Sequence, residues 1–197
     1  GWDIAVRGDL SVIVVLEQVG DVLWMREMIE MRRVAMTEQW EVFGDVMRRY
    51  RVGRACIDQT GMGEGTVAEM QRRHGTDRVE GVLFTGPTKL VMATSGRQAF
   101  EDRTVRIPMG NAALRADLHK LRRIASATGA PRFVAERDDD HADRTWAVFL
   151  AIHAGDAGDA VYEYRSAAGD VGAGDDGSGS IFGTSVRDTF SPDLGVM

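Results

Sequence analysis

Several protein classes are excluded by what this sequence lacks. It holds one cysteine, Cys56, in 197 residues, so no internal disulfide can form and a reducing compartment is favoured. Four histidines scattered along the chain, together with that single cysteine, give no recognisable zinc-binding pattern. No apolar run approaches the roughly 18 residues that indicate a membrane-spanning helix, and no signal peptide is visible. The sequence therefore predicts neither a membrane segment nor a disulfide or zinc scaffold.

Motifs for nucleotide and acyl chemistry are also missing. The glycines at Gly61 and Gly63 are not followed by Gly-Lys-Ser/Thr, so they do not form a phosphate-binding P-loop. Ser95 lacks the Gly-x-Ser-x-Gly context of a hydrolase nucleophile. The net charge of -6 argues against a general nucleic-acid coat protein. It permits a nuclease, because bound divalent cations reverse the charge of an acidic cluster.

The composition indicates one globular domain followed by a tail. Hydrophobic residues make up 44% of the chain and charged residues 27%, and a chain of this size buries roughly 70% of the surface that it exposes when unfolded. Residues 166–180 are almost entirely Gly, Ala, Ser and Asp, which is too little apolar surface to offset the entropy of ordering. We therefore predict a domain over residues 1–165 and a flexible linker and tail over 166–197. Because the sequence opens on Gly-Trp-Asp without an initiator methionine, we expect an excised domain of a longer protein.

Hydrophobic periodicity predicts a mixed sheet flanked by helices. Residues 2–7 alternate as a strand does, and two further apolar runs separated by Val19-Gly20-Asp21 complete an antiparallel meander. Helices and strands alternate after it, which is typical of parallel strands with helices packed on them. The predicted strands are 2–7, 11–16, 22–29, 55–57, 79–84, 104–107 and 132–136. The predicted helices are 37–50 with Thr37 as its N-cap, one that ends near 73 after a glycine-rich turn at 60–65, 88–102, 111–124 and 138–154.

Three aspartates occupy positions that each admit two interpretations. Asp3 lies within a strand, where a carboxylate is disfavoured unless it is exposed on an edge strand or has a partner. Asp58 follows the apolar run Ala55-Cys56-Ile57, at a strand end where functional sites collect, but turn and cap aspartates are common there too. Asp143 borders the apolar stripe of the last predicted helix, whereas the helix dipole alone explains Asp138 to Asp140.

Taken together, the three aspartates favour a metal site. Two carboxylates about 4 Å apart repel each other by roughly 4 kcal/mol at an effective dielectric constant of 20, and a divalent cation relieves that repulsion. Mg²⁺ and Mn²⁺ prefer carboxylate oxygens, and a pair of such ions can clamp the attacking and leaving oxygens of a phosphodiester. We therefore predict that Asp3, Asp58 and Asp143 hold two divalent cations for phosphodiester hydrolysis.

An ordered set of short motifs resembles the nuclease domain of tailed-phage terminase large subunits, and most closely the Mu-like phage type. The set spans roughly residues 1–155 and comprises Gly1-Trp2-Asp3-Ile4-Ala5, Gly8-Asp9, Ile57-Asp58-Gln59-Thr60-Gly61-Met62-Gly63, Asp140-His141-Ala142-Asp143 and Trp146-Ala147. The resemblance implies a ribonuclease H-like α/β fold, in which three antiparallel strands are followed by parallel ones. It also implies an endonuclease that uses Mg²⁺ or Mn²⁺ to cut double-stranded DNA during genome packaging.

The same resemblance assigns roles to individual residues and partners. Asp3, Asp58 and Asp143 correspond to the catalytic metal ligands, and His141 and Asp140 are accessory ligands beside the third. The implied partners are double-stranded DNA, an ATPase motor domain, the small terminase subunit and the portal, in the host cytoplasm. No Walker motif is present, so this chain is expected to cut DNA but not to translocate it.

Some alternatives stay open at this point. Lys89, near a predicted helix start, is a candidate contact to a DNA phosphate, or else a plain surface lysine. A Holliday-junction resolvase or a ribonuclease would share the fold and the metal site but act on another substrate. A DNA- or portal-docking module with a decayed site would keep the fold and bind no metal.

Overall fold

The structure is a computed structural model, and it describes residues 1–5, 10–125, 131–135 and 142–156. The strands are β1 (Trp2–Asp3), β2 (Leu10–Val19), β3 (Val22–Arg32), β4 (Ala55–Asp58), β5 (Val79–Val82), β6 (Val105–Arg106), β7 (Leu121–Ala125) and β8 (Pro131–Ala135). The helices are α1 (Met36–Arg49), α2 (Gly63–His74), α3 (Gly86–Glu101), α4 (Ala112–Lys120) and α5 (Asp143–Asp156).

Six strands form one mixed sheet in the order β5-β4-β1-β2-β3-β6. The first three strands pair antiparallel, as the meander predicted. On one side of the meander β4 runs parallel to β1 and β5 parallel to β4, and on the other side β6 runs parallel to β3. The predicted mixed sheet is therefore confirmed. The remaining two strands, β7 and β8, pair antiparallel in a separate hairpin.

Alternation along β2 divides the apolar core between the two faces of the sheet. The run Val12-Ile13-Val14-Val15 is β-branched and buried throughout, as suits a central strand. Ile13 and Val15 join a cluster with Trp2 of β1 and with buried side chains of α1 and α2. Val12 and Val14 join the opposite cluster, which contains most of α5. The sheet thus lies between a layer of α1 and α2 and a layer centred on α5.

Helix α5 is buried on nearly every side. Its residues from Thr145 to Ile152 are all buried, because the sheet covers one side and α3 and α4 contact the other. Gly1 lets the start of β1 approach this helix closely. A Cβ on Gly1 would lie 2.2 Å from the carbonyl oxygen of Ala147, so only glycine fits there without a backbone shift. This contact fixes β1, and the aspartate it carries, against α5.

Most of the predicted elements are present, although several bounds differ. Strand β1 covers only Trp2–Asp3 of the predicted 2–7, and residues 6–9 lie outside the described part of the chain. Thr37 is not the N-cap of α1. The helix begins at Met36, one residue before Thr37, so its N-cap is Ala35. The Ala35 side chain makes no cap hydrogen bond. The predicted helix over 111–124 ends at Lys120, and residues 121–125 form β7 because they pair with β8.

Two other predictions concern residues that the structure does not describe. The last helix begins at Asp143 within the described residues, so its predicted start at 138 is not addressed, and neither is the predicted tail over 166–197. Among the described residues, the structure contains no helix that is both long enough and apolar enough to cross a membrane.

Candidate functional site

Asp3 and Asp58 lie side by side at one end of the sheet. In the parallel pairing of β1 with β4, Trp2 is opposite Ile57, so the next residue on each strand, Asp3 and Asp58, also face each other. Parallel neighbours are about 4.8 Å apart. Trp2 and Ile57 both point into the α1/α2 layer. Since side chains alternate along a strand, the two aspartates point to the α5 face.

Asp3 is held in position through its backbone. Ser11 on β2 donates its hydroxyl hydrogen bond to the Asp3 carbonyl oxygen at 3.2 Å, and the Trp2 indole donates to the same hydroxyl at 2.9 Å. The residue is only 9% exposed. Strand β1 lies between β4 and β2, so the edge-strand alternative for Asp3 is wrong.

Asp58 ends β4 and at the same time closes a turn. Its Oδ1 accepts a hydrogen bond from the backbone N–H of Thr60 at 2.8 Å, and the Thr60 hydroxyl accepts one from the backbone N–H of Phe84 at 3.0 Å. Gly63 packs directly on this turn, since a Cβ there would lie 2.1 Å from the Asp58 carbonyl oxygen. The turn interpretation of Asp58 is therefore correct. It is compatible with the site interpretation, because the turn uses one carboxylate oxygen.

Asp143 reaches the same end of the sheet from α5. Its Oδ2 accepts a hydrogen bond from the backbone N–H of Leu10 at 3.2 Å. Leu10 starts β2, two residues before Val12, and Val12 is the partner of Asp3. Two residues along a strand span roughly 7 Å, so Asp143 approaches the end of the sheet that carries Asp3 from the β2 side. As the first residue of α5, its carboxylate is also favoured by the helix dipole.

The three carboxylates thus gather where β1 and β4 end and α5 begins, at the end of the sheet that we call the carboxylate edge. Asp3 is on the central strand β1, Asp58 is on its neighbour β4, and Asp143 is hydrogen-bonded to its other neighbour β2. Carboxylates gathered at one strand end repel one another, and a divalent cation bound among them would offset that repulsion. Their donor atoms are all oxygen, which is the set that hard ions such as Mg²⁺ and Mn²⁺ take. The residues present therefore fit such a metal site.

Lys89 lies next to this edge. Its Nζ is 5.2 Å from the ring centroid of Phe84 and 5.1 Å from that of Trp146, and such distances allow cation–π contacts with both rings. Trp146 is one turn after Asp143, and Phe84 is hydrogen-bonded to the turn that Asp58 closes. The Lys89 ammonium group therefore contacts two rings that adjoin the elements carrying Asp58 and Asp143. The predicted accessory residues Asp140 and His141 lie outside the described residues.

An ion-pair network beside Asp143 was missed by the sequence analysis. Arg144 makes two hydrogen bonds to Glu30 of β3, at 2.7 and 2.8 Å, and one to Asp117 of α4 at 2.9 Å. Lys120 also contacts Asp117, whose side chain is only 3% exposed. The carboxylate partners raise the pKa of Arg144, against a smaller opposing effect of burial. These partners are distant in sequence, so no local pattern could have indicated them.

A second group of potential metal ligands was also missed. Cys56, Glu80 and His153 offer a sulfur, an oxygen and a nitrogen atom that all lie within 4.8 Å of one another. Burial is the main reason that the pKa of the Cys56 thiol rises to about 11, and nearby Glu80 adds to the rise. The sequence showed only one cysteine and scattered histidines, because these three residues meet only after β4, β5 and α5 have packed.

Solved structures with the same fold support this description. The large terminase nuclease from thermophilic phage G20c with bound magnesium superposes with a TM-score of 0.67 at 18% identity, over 78% of this chain and 78% of that one. The Thermus phage P74-26 large terminase nuclease domain gives 0.62 at 17% identity, over 77% and 75%. The bacteriophage SPP1 large terminase nuclease domain with bound manganese gives 0.52 at 14% identity, over 78% and 83%. At these identities the likeness establishes the fold.

Sequence comparison gives the family. No curated protein sequence matches the chain, and the Mu-like subtype stays a prediction. The terminase RNase H-like domain family matches residues 1–154, a range that includes all three aspartates and every described element except the last two residues of α5. The chain belongs to the terminase RNase H-like domain family.

Proposed function

We propose that this chain is the nuclease domain of a phage large terminase and that it cuts double-stranded DNA during genome packaging with the help of divalent metal ions. The observation that carries the proposal is the meeting of Asp3, Asp58 and Asp143 at one edge of the sheet. Membership of the terminase RNase H-like family supports it. So does the fold that the chain shares with terminase nucleases whose structures hold magnesium or manganese.

We infer that the site holds two Mg²⁺ or Mn²⁺ ions. Asp3, Asp58 and Asp143 would hold the ions, with Asp3 as the middle carboxylate. When bound, the ions supply an activated water and neutralise charge on the leaving oxygen. The chain contributes rigid placement: the turn at Thr60 fixes Asp58, and the backbone N–H of Leu10 fixes Asp143. The predicted accessory roles of Asp140 and His141 belong to the same proposal.

We propose Lys89 as a contact to a DNA phosphate beside the cleavage site. The neighbouring rings of Phe84 and Trp146 both contact its ammonium group near the carboxylate edge. A fixed positive charge there offsets the repulsion between the acidic edge and the DNA backbone. In the full-length protein an ATPase domain, the small terminase subunit and the portal are the proposed partners. The proposed setting is the host cytoplasm, with residues 1–165 as the nuclease and 166–197 as a linker and tail.

The direct test is cleavage of plasmid DNA in Mn²⁺ by the native chain and by Asp3→Asn, Asp58→Asn and Asp143→Asn variants. Loss of a metal-ligating carboxylate is expected to lower the cleavage rate roughly 100-fold or more, since removing a residue that only orients a ligand already costs about 10- to 100-fold. Asp45→Asn is the matched control. Asp45 is a half-exposed residue of α1 that pairs with Arg48, on the opposite layer of the sheet, and its loss should leave the rate unchanged.

The same assay separates the alternatives. Undiminished cutting by folded Asp3→Asn or Asp58→Asn protein would show that these aspartates are not the catalytic metal ligands. Preference for four-way junctions or RNA–DNA hybrids over duplex DNA would replace the terminase activity by that of a resolvase or a ribonuclease. Failure of the native chain to bind Mn²⁺ at millimolar concentration in a calorimetric titration would favour a docking module.

A further inference from the structure

We propose that Cys56, Glu80 and His153 form a second cation site, which takes a thiophilic divalent ion of the Zn²⁺ class and is separate from the carboxylate edge. The proposal goes beyond the nuclease function and does not depend on it. It rests on the position at which β4, β5 and α5 bring a sulfur, an oxygen and a nitrogen donor atom together.

The fold places these side chains on one face at neighbouring positions. In the parallel pairing of β4 with β5, Cys56 is directly opposite Glu80. Both side chains project to the α5 face, and His153 of α5 contacts Glu80 from above. Sulfur, carboxylate oxygen and imidazole nitrogen are together the donor set that zinc takes, whereas Mg²⁺ takes oxygen alone.

The separations between the donor atoms are slightly longer than a bound tetrahedral ion requires. Cys56 Sγ is 3.8 Å from Glu80 Oε2, and His153 Nε2 is 3.8 Å from Glu80 Oε1. Zinc bonds of about 2.0–2.3 Å at tetrahedral angles put neighbouring ligand atoms roughly 3.4–3.6 Å apart. Small rotations of the Glu80 and His153 side chains would therefore suffice to close the site. All three donor atoms already lie within 4.8 Å of one another.

Access and burial also suit a bound ion. Cys56 is fully buried, so the sulfur forms the floor of the site. The side chains of Glu80 and His153 are 40% and 37% exposed, which leaves an opening for the ion and for a water as fourth ligand. Binding converts the thiol to a thiolate and releases its proton to solvent.

Two existing contacts compete with the ion, since the Cys56 thiol donates a hydrogen bond to Glu80 and Arg54 pairs with the same carboxylate. The Arg54 guanidinium pairs with Glu80 through Oε2, the oxygen that also faces the thiol, whereas Oε1 faces His153. A cation would bind through Oε1 or displace Arg54. If the Arg54 ion pair holds the Glu80 carboxylate against a metal, the cluster is an ordinary ion pair beside a cysteine and a histidine, and no metal ion will bind.

The single cysteine makes the test specific. Co²⁺ is a spectroscopic substitute for Zn²⁺, and thiolate-to-cobalt charge transfer absorbs in the near ultraviolet only when sulfur is a ligand. Because Cys56 is the only cysteine in the chain, such a band in the full 197-residue protein reports this site and never the aspartates. We expect a band that saturates at one Co²⁺ per chain, that Zn²⁺ abolishes and that excess Mg²⁺ leaves in place.

Variants separate this site from the carboxylate edge. His153→Gln, at a half-exposed position, should weaken Co²⁺ binding at least roughly 10-fold while the protein stays folded by circular dichroism. Asp58→Asn should keep the band at full strength. Absence of the band at millimolar Co²⁺ would overturn the proposal, and so would a band of undiminished affinity in both His153→Gln and Glu80→Gln. A missing band would not contradict the proposed nuclease function, because plasmid cleavage tests that function separately.

Discussion

At the scale of single residues, the backbone around Asp58 is as important as its carboxylate. The side chain closes a turn through Thr60, and Gly63 presses on the carbonyl oxygen of the same residue. The position of one proposed metal ligand thus depends on a glycine that carries no chemistry. Such dependence is testable because a second glycine, Gly65, lies one half-turn further along the same helix in open space.

Gly63→Ala is expected to lower the rate of plasmid cleavage by about 10- to 100-fold. The added Cβ would lie 2.1 Å from the Asp58 carbonyl oxygen, so the strand end must move, and displacing a reacting group by about 1 Å can cost 100-fold. Gly65→Ala has no neighbour to meet and should stabilise α2 by up to about 1 kcal/mol with unchanged cleavage. Equal cleavage rates for the two variants would contradict the account of how Asp58 is positioned.

Lys89 gives a second prediction at this scale. Lys89→Gln should weaken DNA binding for all sequences alike and reduce the salt dependence by about one phosphate contact, whereas Lys89→Arg should largely preserve both. Fluorescence anisotropy with labelled duplex at several salt concentrations measures this. Arg97→Gln is the control on the same helix, because Arg97 is an exposed residue paired with Glu101. If the two Gln variants lose affinity equally, Lys89 is not a specific contact.

At the scale of elements, α5 is fixed at its start by charge and along its length by apolar burial. Arg144 ties the first turn of α5 to Glu30 of β3 and to the buried Asp117 of α4. The residue before it, Asp143, is hydrogen-bonded to the start of β2. Three elements therefore converge on two consecutive residues, so we expect the network around Arg144 to set the position of Asp143.

Arg144→Met is expected to destabilise the protein by about 2–3 kcal/mol. Breaking a buried pair costs roughly 3–5 kcal/mol, and here Lys120 still contacts Asp117 and Glu30 is partly exposed, which reduces the loss. Arg97→Met removes a surface pair instead and should cost less than about 1 kcal/mol. Urea unfolding of both variants measures the difference. A loss below about 1 kcal/mol for Arg144→Met would show that the network contributes little.

The elements also show where sequence reasoning succeeds and fails. The β2–β3 meander was predictable because β-branched runs on both sides of Gly20 indicate strands and a turn locally. Residues 121–124 were predicted as helix, and the Leu and Arg residues there do favour helix. Their pairing with β8 outweighs that preference, and no local pattern reveals a partner strand. Helix α3 also begins earlier than the predicted residue 88. Gly86 and Pro87 are typical of a turn, but here they form the first turn of the helix, which Thr85 caps.

At the scale of the whole molecule, the sequence singles out the three aspartates of the proposed site but not the contacts that support them. Asp3, Asp58 and Asp143 each stood out by an unusual local position, and the family motifs ordered them. The contacts between Leu10 and Asp143, or between Cys56 and His153, depend on the packing of distant elements. Those contacts depend on which strands are neighbours in the sheet. Residue patterns predict the strands but not which strands lie next to each other.

Stability of the whole molecule should fall in mild acid because of His74. Its ring lies 5.8 Å from that of Phe43, and its Nε2 is buried without a hydrogen-bond partner among the described residues. Burial lowers the pKa of His74, and the nearby Arg78 and Arg73 lower it further. The folded state therefore binds protons less readily than the unfolded state, so stability is lost as pH falls below the ordinary value of about 6.5.

His74→Phe keeps an aromatic ring and removes the titrating group. The urea midpoint of the native chain should drop more between pH 7.5 and 5.5 than that of the variant, measured by tryptophan fluorescence. An equal drop in both proteins would assign the acid sensitivity to other groups.

The hydrogen bond between Leu10 and Asp143 joins residues 133 positions apart. A growing chain therefore presents Asp3 and Asp58 long before the third carboxylate has been synthesised. Contacts of such sequence separation also form slowly during folding. We expect an unfinished or partly folded chain to be harmless to DNA, so that cutting ability returns during refolding at the rate at which α5 docks and no earlier. Cleavage by an intermediate that lacks docked α5, detected by Trp146 fluorescence in a variant with its other tryptophans replaced, would contradict this timing.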